Sequence, residues 1–196
     1  MDNVLLIVNH VQSGYLNQND PDDVALRQKI LDFVEEARPH VNKIAWSYAK
    51  KDSLQGLPFN IATERPETFQ KDADLTLTNN DGKGLDSNFL QNVFDENPDH
   101  VILVGVYFEA CSAGTAKNIK QNIGVKVSVP MDMTNPAEHP FKDFYDNVAK
   151  DLQASGIDVK TSSAELLEQI KSEQTQENTI DEKPHPALDT SETHNL

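Results

Sequence analysis

Val101-Ile102-Leu103-Val104-Gly105-Val106 reads as the strongest strand of the chain. A second run, Val4-Leu5-Leu6-Ile7-Val8, is apolar without a break and has strand length, the mark of a strand covered on both faces. Outward from these two, strands alternate with helices. Asp20-Pro21 opens a helix, Asp as the cap and Pro in the first turn. Leu26, Ile30, Phe33 and Ala37 carry its apolar face, and Pro39 stops it. Val41 to Tyr48 reads as a strand, and Leu75 to Thr78 as a short one. Asp86 caps a helix bearing Phe89, Leu90, Val93 and Phe94. Ala113 to Asn122 is helical. Val125 to Val129 is a strand ended by Pro130. Phe141 to Ala154 is a helix stopped by Gly156. Ile157 to Lys160 and Ala164 to Lys171 are the final strand and helix. This alternation predicts an α/β three-layer sandwich, a six-stranded, mainly parallel sheet with helices on both faces. Ligands in such sheets bind beyond the carboxyl ends of the strands.

The 196 residues fit one domain, assigned to 1–171. From Ser172 to Leu196 the chain is acidic and has few apolar residues to bury, so an acidic, disordered tail is expected there. The formal net charge is −15, which disfavours nucleic acid and anionic membranes as partners. No apolar run has the length of a membrane span. The N-terminus shows no basic region or cleavage site, so a soluble, cytoplasmic protein is expected. A single cysteine excludes an intrachain disulfide and a thiolate-rich metal site.

That cysteine, Cys111, falls where the strongest strand hands over to a helix. The positive end of a helix favours a thiolate, and free N–H groups of a first turn hold an oxyanion; together they are two parts of an acyl-transfer site. A lone cysteine is also often a small buried hydrophobe. The six histidines, His10, His40, His100, His139, His185 and His194, show no metal-ligand spacing. Gly82-Lys83-Gly84 lacks the spacing of a phosphate-binding loop. Tyr107, Phe108 and Trp46 are either pocket walls or core.

Gly105-Val106-Tyr107-Phe108-Glu109-Ala110-Cys111-Ser112-Ala113-Gly114-Thr115-Ala116 resembles the nucleophile motif of the isochorismatase-like cysteine hydrolases, which include nicotinamidases, N-carbamoylsarcosine amidohydrolases and isochorismatases. Leu6 to Tyr15 is similar to that family's first strand and D-x-Q turn. Pro130-Met131-Asp132-Met133 with His139 is similar to its Asp-then-His stretch, and Gly156 to Thr161 with Ala164 to Leu167 to its closing strand and ending. The resemblance covers about 4–167 and implies strand order 3-2-1-4-5-6. It implies a small-molecule substrate with an amide-like bond, and an Asp, a Lys and a Cys as catalytic residues. Cys111 matches the Cys. The Asp position falls on His10, or on Asn9 with a shift of one, and the Lys position on Asn79. Lys83 and Asp81 lie a few residues further on. Asn79 carries no charge, whereas His10 can accept a proton, and a Cys–His pair is a working arrangement elsewhere. The family's nicotinamidases bind a metal through Asp-x-His…His after the second strand. Trp46 to Ser53 has no histidine, so no metal and no cofactor are expected. His139 is expected to cap the helix that follows it. Two readings stand: a divergent cysteine hydrolase with Cys111, His10 and Asn79 at its site, or an impaired relative serving as a small-molecule or protein-binding module. A homo-oligomer is left open.

Overall fold

The computed structural model describes residues 3–11, 15–17, 19–49, 73–79, 87–134 and 142–181. Six parallel strands form one sheet: β1 Val4–Asn9, β2 Lys43–Ala49, β3 Leu75–Asn79, β4 His100–Gly105, β5 Lys126–Pro130 and β6 Asp158–Lys160. Their order is β3-β2-β1-β4-β5-β6, as the resemblance implies. Every residue of β1 and β4 is buried, and the two strands are neighbours from Val4 opposite His100 to Asn9 opposite Gly105.

Alternation along the strands feeds two separate cores. Leu6 and Val8 of β1, Ile44 and Trp46 of β2, and Ile102 and Val104 of β4 pack on one side. Helix α1, Pro21–Ala37, covers them with Ile30, Phe33 and Val34, and α5, Ser163–Asp181, with Leu166, Leu167 and Ile170. Leu5, Ile7, Leu77, Leu103 and Val127 face the other side. There α2, Ser87–Asp95, supplies Phe89 and Val93; α3, Ala113–Asn122, supplies Ala116 and Ile119; α4, Lys142–Ala154, supplies Leu152. Two faces needing apolar cover explain why β1 and β4 read as unbroken hydrophobic runs. The expected cap of α1 is present: Asp20 accepts from the Asp22 amide at 2.9 Å.

Strand ends differ from the sequence reading by one or two residues, and two helical boundaries differ by more. The last helix does not end at Lys171 but continues to Asp181, so 172–181 is helical rather than irregular. No Gly or Pro lies between Gly156 and Pro184, and Glu, Gln and Lys are good helix formers, so nothing local stops it. Residues 182–196, the rest of the expected tail, lie outside the described residues. The helical segment around Cys111 also begins earlier than Ala113, with a π-helical turn over Phe108–Ser112 that runs directly into α3. Among the described residues, no helix is long and apolar enough to cross a membrane.

Candidate active site

The carboxyl ends of β1, β2 and β4 meet in register. Asn9 lies opposite Ser47 on one side and Gly105 on the other. The backbones interlock here: His10 N–H donates to Ser47 O at 2.8 Å, and Val106 N–H donates to Asn9 O at 3.0 Å. Gly105, at φ +110°, allows this approach, since a Cβ there would lie 2.0 Å from the Asn9 carbonyl oxygen. The glycine inside the strongest strand is thus a requirement of the junction.

The side chains at this junction are polar, buried and unpartnered. Asn9 and His10 are wholly inaccessible and Ser47 nearly so. Asn9 Nδ2 and Oδ1, His10 Nδ1 and Nε2, and Ser47 Oγ have no hydrogen-bond partner among the described residues. Leaving a buried donor or acceptor unsatisfied costs about 1–3 kcal/mol per group. Buried polar groups are usually paired, so their concentration here makes this junction the candidate site. By strand alternation Asn9 and Ser47 lie on the side of Leu5, Ile7 and Ala45, facing α2, α3 and α4.

His10 adopts φ 54°, a left-handed conformation in which histidine is enriched among non-glycine residues. Its ring stacks on Tyr15, with centroids 5.0 Å apart and planes 21° from parallel. Burial lowers its pKa to about 4, so it is a neutral imidazole at pH 7. The imidazolium that would favour a thiolate is therefore not its resting state.

Cys111 is half-buried in the π-helical turn. The junction and this turn are joined through Tyr107, whose hydroxyl donates to Tyr15 O at 2.7 Å. Tyr107 follows a cis peptide after Val106. The early helical start corrects the expected supply of oxyanion donors. Ala110 N–H and Ser112 N–H donate to Tyr107 O, and Ala113 N–H donates to the carbonyls of Ala110 and Phe108. Those three amides close the turn on itself. Ser112 Oγ donates to Gly105 O at 3.0 Å and ties the turn to the end of β4. Of the three aromatics read as walls or core, Trp46 and Phe108 are core and Tyr107 is partly exposed.

The backbone of Asn79 ends β3, paired with Ala49. Its side chain, and Asp81, Lys83, residues 50–72 and His139, lie outside the described residues. Asp132, in the stretch read as similar to the family's Asp-then-His, holds other elements together. Its Oδ1 accepts from Ser163 N–H at 2.7 Å, and its Oδ2 from Ser163 Oγ at 3.0 Å and Lys29 Nζ at 2.8 Å. Among the described residues no three His, Cys, Asp or Glu side chains cluster as metal ligands.

A histidine, a serine and an aspartate also meet at the opposite end of the sheet. Ser128 Oγ lies 2.8 Å from His100 Nε2 and donates to Asp158 Oδ2 at 3.4 Å. The serine stands between the other two, so its proton goes to the carboxylate and the histidine is left as donor. That order suits structural satisfaction and is the reverse of nucleophile activation. Sequence reading did not single out Asn9 as polar and buried, nor Ser47 at all. Their only signal is that Asn9 ends the apolar run of β1 and Ser47 lies two residues before the end of β2.

Solved structures match this architecture closely. A protein described as an isochorismatase hydrolase from Oleispira antarctica aligns with a TM-score of 0.67 at 13% identity, over 85% of this chain and 96% of that one. A nicotinamidase/pyrazinamidase from Acinetobacter baumannii aligns with a TM-score of 0.64 at 14% identity, over 85% and 99%. The chain has the isochorismatase-like hydrolase fold. A ribonuclease from Caenorhabditis elegans aligns over 95% of this chain and 94% of its own, with a TM-score of 0.62 at 13% identity. No family model matches the chain, and no curated protein sequence matches it. In the isochorismatase-like fold as this chain builds it, the orphaned polar cluster and Cys111 both sit where β1, β2 and β4 end.

Proposed function

We propose that the chain is a divergent cysteine hydrolase acting on a small amide-like substrate at the carboxyl ends of β1, β2 and β4. The observation that carries this reading is the set of five buried, unpartnered polar atoms of Asn9, His10 and Ser47. Natural cores seldom keep such groups without a use. The likeness to hydrolases and a nicotinamidase supports the reaction class. In the proposed reaction the Cys111 thiol gives its proton to a base and its sulfur attacks the carbonyl carbon. The C–N bond breaks, the amine leaves with a proton, and water hydrolyses the thioester to acid and free thiol. His10 is the base this chain offers in place of the family's Asp. Asn79 replaces the Lys as a neutral hydrogen-bonding residue. A base whose pKa burial lowers to about 4 is a weak acceptor for a thiol proton. Slow turnover is the expected result.

The same neutral His10 favours the second reading, a binding module that keeps the fold without the chemistry. Reaction of the full chain with p-nitrophenyl acetate, followed by intact-mass measurement, separates the two. The hydrolase reading expects one acetyl adduct, on Cys111, lost in Cys111→Ser and formed more slowly in His10→Ala. A protein that stays unmodified at Cys111, or an adduct rate equal to that of a free thiol and unaffected by His10→Ala, leaves the binding module standing.

A further inference from the structure

Tyr107 stands where the chain crosses from one face of the sheet to the other. Its ring packs on the core beneath α1 and α5, beside Tyr15, whereas Phe108 is buried in the core beneath α2, α3 and α4. The two ends of the residue hold different parts of the fold. The hydroxyl donates to the Tyr15 carbonyl at 2.7 Å, across 92 positions of sequence, and the two rings lie 5.8 Å apart. The backbone carbonyl accepts from Ala110 N–H at 3.3 Å and from Ser112 N–H at 3.0 Å, the residues on either side of Cys111. One residue thus joins the segment after β1 to the turn that carries the thiol. The far end of this link is itself anchored, since Tyr15 stacks on the buried His10 ring and precedes the buried Leu16. A phenylalanine would fill the same space and lack only the donor, so packing alone does not call for a tyrosine here. With its proton engaged by a carbonyl, the hydroxyl holds geometry and takes no part in proton transfer.

We infer that Tyr107 is a positioning residue for Cys111, its hydroxyl fixing the thiol-bearing turn against the segment after β1. The inference rests on the reading that Cys111 is the reacting group, and it deepens that reading by naming what holds the sulfur in place. Acyl transfer needs sulfur, carbonyl carbon and base in line, and a misplacement of about 1 Å costs on the order of a hundredfold in rate. A reagent that needs no such alignment is indifferent to a loosened turn.

Tyr107→Phe and Tyr107→Leu, made in the full chain, test it by three measurements. Exchange of the Ala110 and Ser112 amides, followed by NMR, should speed up about fivefold to tenfold in Tyr107→Phe, while the Ile102 and Val104 amides of β4 exchange as in wild type. Alkylation of Cys111 by iodoacetamide should be as fast as in wild type or faster. Acetylation of Cys111 by p-nitrophenyl acetate should slow at least about fivefold, its pH profile losing height and keeping its midpoint. General loss of stability would not move the two reagents apart. Unchanged exchange at Ala110 and Ser112 in Tyr107→Phe overturns the inference. So does alkylation that slows to the same extent as acetylation, or a displaced midpoint, which would place the hydroxyl in proton transfer. Losses confined to Tyr107→Leu assign the effect to ring packing and overturn the hydrogen-bond clamp. If wild-type Cys111 is never acetylated, the hydrolase reading fails, and amide exchange with alkylation still decides whether Tyr107 holds the turn. If wild type is acetylated and Tyr107→Phe matches it, the inference fails alone.

Discussion

Gly105 shows how one residue fixes the geometry of the whole junction. Its φ of +110° is open to glycine, and an added Cβ would strike the Asn9 backbone rather than a movable side chain. Gly105→Ala is therefore expected to lose about 3 kcal/mol or more of stability, read from urea denaturation. Recovery of wild-type stability in that variant would show that β1 and β4 can separate cheaply at this point. Asn9 and Ser47 carry the opposite expectation. Their polar atoms are buried without partners, so Ser47→Ala should leave stability unchanged or raise it by about 1 kcal/mol in the absence of ligand. A loss of more than about 1 kcal/mol would mean that the Ser47 hydroxyl is satisfied after all. Residues poised for ligands commonly trade stability in this way.

At the scale of elements, α5 is docked by side chains from several other elements, Glu36 of α1 and Lys160 of β6 among them. Asp132, just after β5, holds the first turn through Ser163 and also binds Lys29 of α1. Further along, Lys126 of β5 pairs with Glu173 at 2.9 Å. Asp132→Ala removes an N-terminal cap together with a partly exposed ion pair, and should cost about 1–2 kcal/mol. Asp132→Asn keeps one acceptor and should cost less; equal losses by chemical denaturation would assign the effect to charge alone. Cutting the chain after Lys171 removes Glu173, whose ion pair is half-exposed, and should lower the melting temperature by only a few degrees. The sheet order followed only from the resemblance, while the alternation of strands and helices was legible because β1 and β4 are apolar on both faces and the helices on one. The end of α5 was not, since its signal is the absence of a Gly or Pro before Pro184 and its anchor, Lys126, is distant in sequence. The turn holding Cys111 was legible from its place after β4. The burial of Asn9 and Ser47 was not, because a polar residue at or near a strand end reads the same whether it meets water or a neighbouring strand.

Two histidines couple the whole molecule to acid. His10 and His100 lie at opposite ends of the sheet, and burial is the first cause that lowers each to about 4. At His100 the charge of Lys126 lowers it further, against the raising influence of Glu173 and Asp158. In the unfolded chain both return to about 6.5. The unfolded state therefore binds more protons between about pH 6.5 and 4. Stability is full above that window, falls as pH drops through 6.5, and stops falling on this account below about 4. Each histidine should contribute a loss of about 1 kcal/mol between pH 6.5 and 5.5, roughly 2 kcal/mol together. A competing effect has the opposite sign. The chain carries −15, and protonating its carboxylates relieves self-repulsion. Unperturbed carboxyl groups gain their protons at about pH 4, at the lower edge of the histidine window, so the histidines dominate first. Glu173 adds a further loss at lower pH, since Gln169 and Lys126 hold its carboxyl below the ordinary value despite opposing burial. Urea denaturation at pH 7, 6.5 and 5.5 should show the drop, and His100→Gln should remove about half of it while keeping a donor for Ser128. A curve that is flat down to pH 5.5 would mean that both histidines reach water or a partner in solution. A drop unaffected by His100→Gln would place the acid sensitivity at His10, and ligand bound beside it would then suppress that drop.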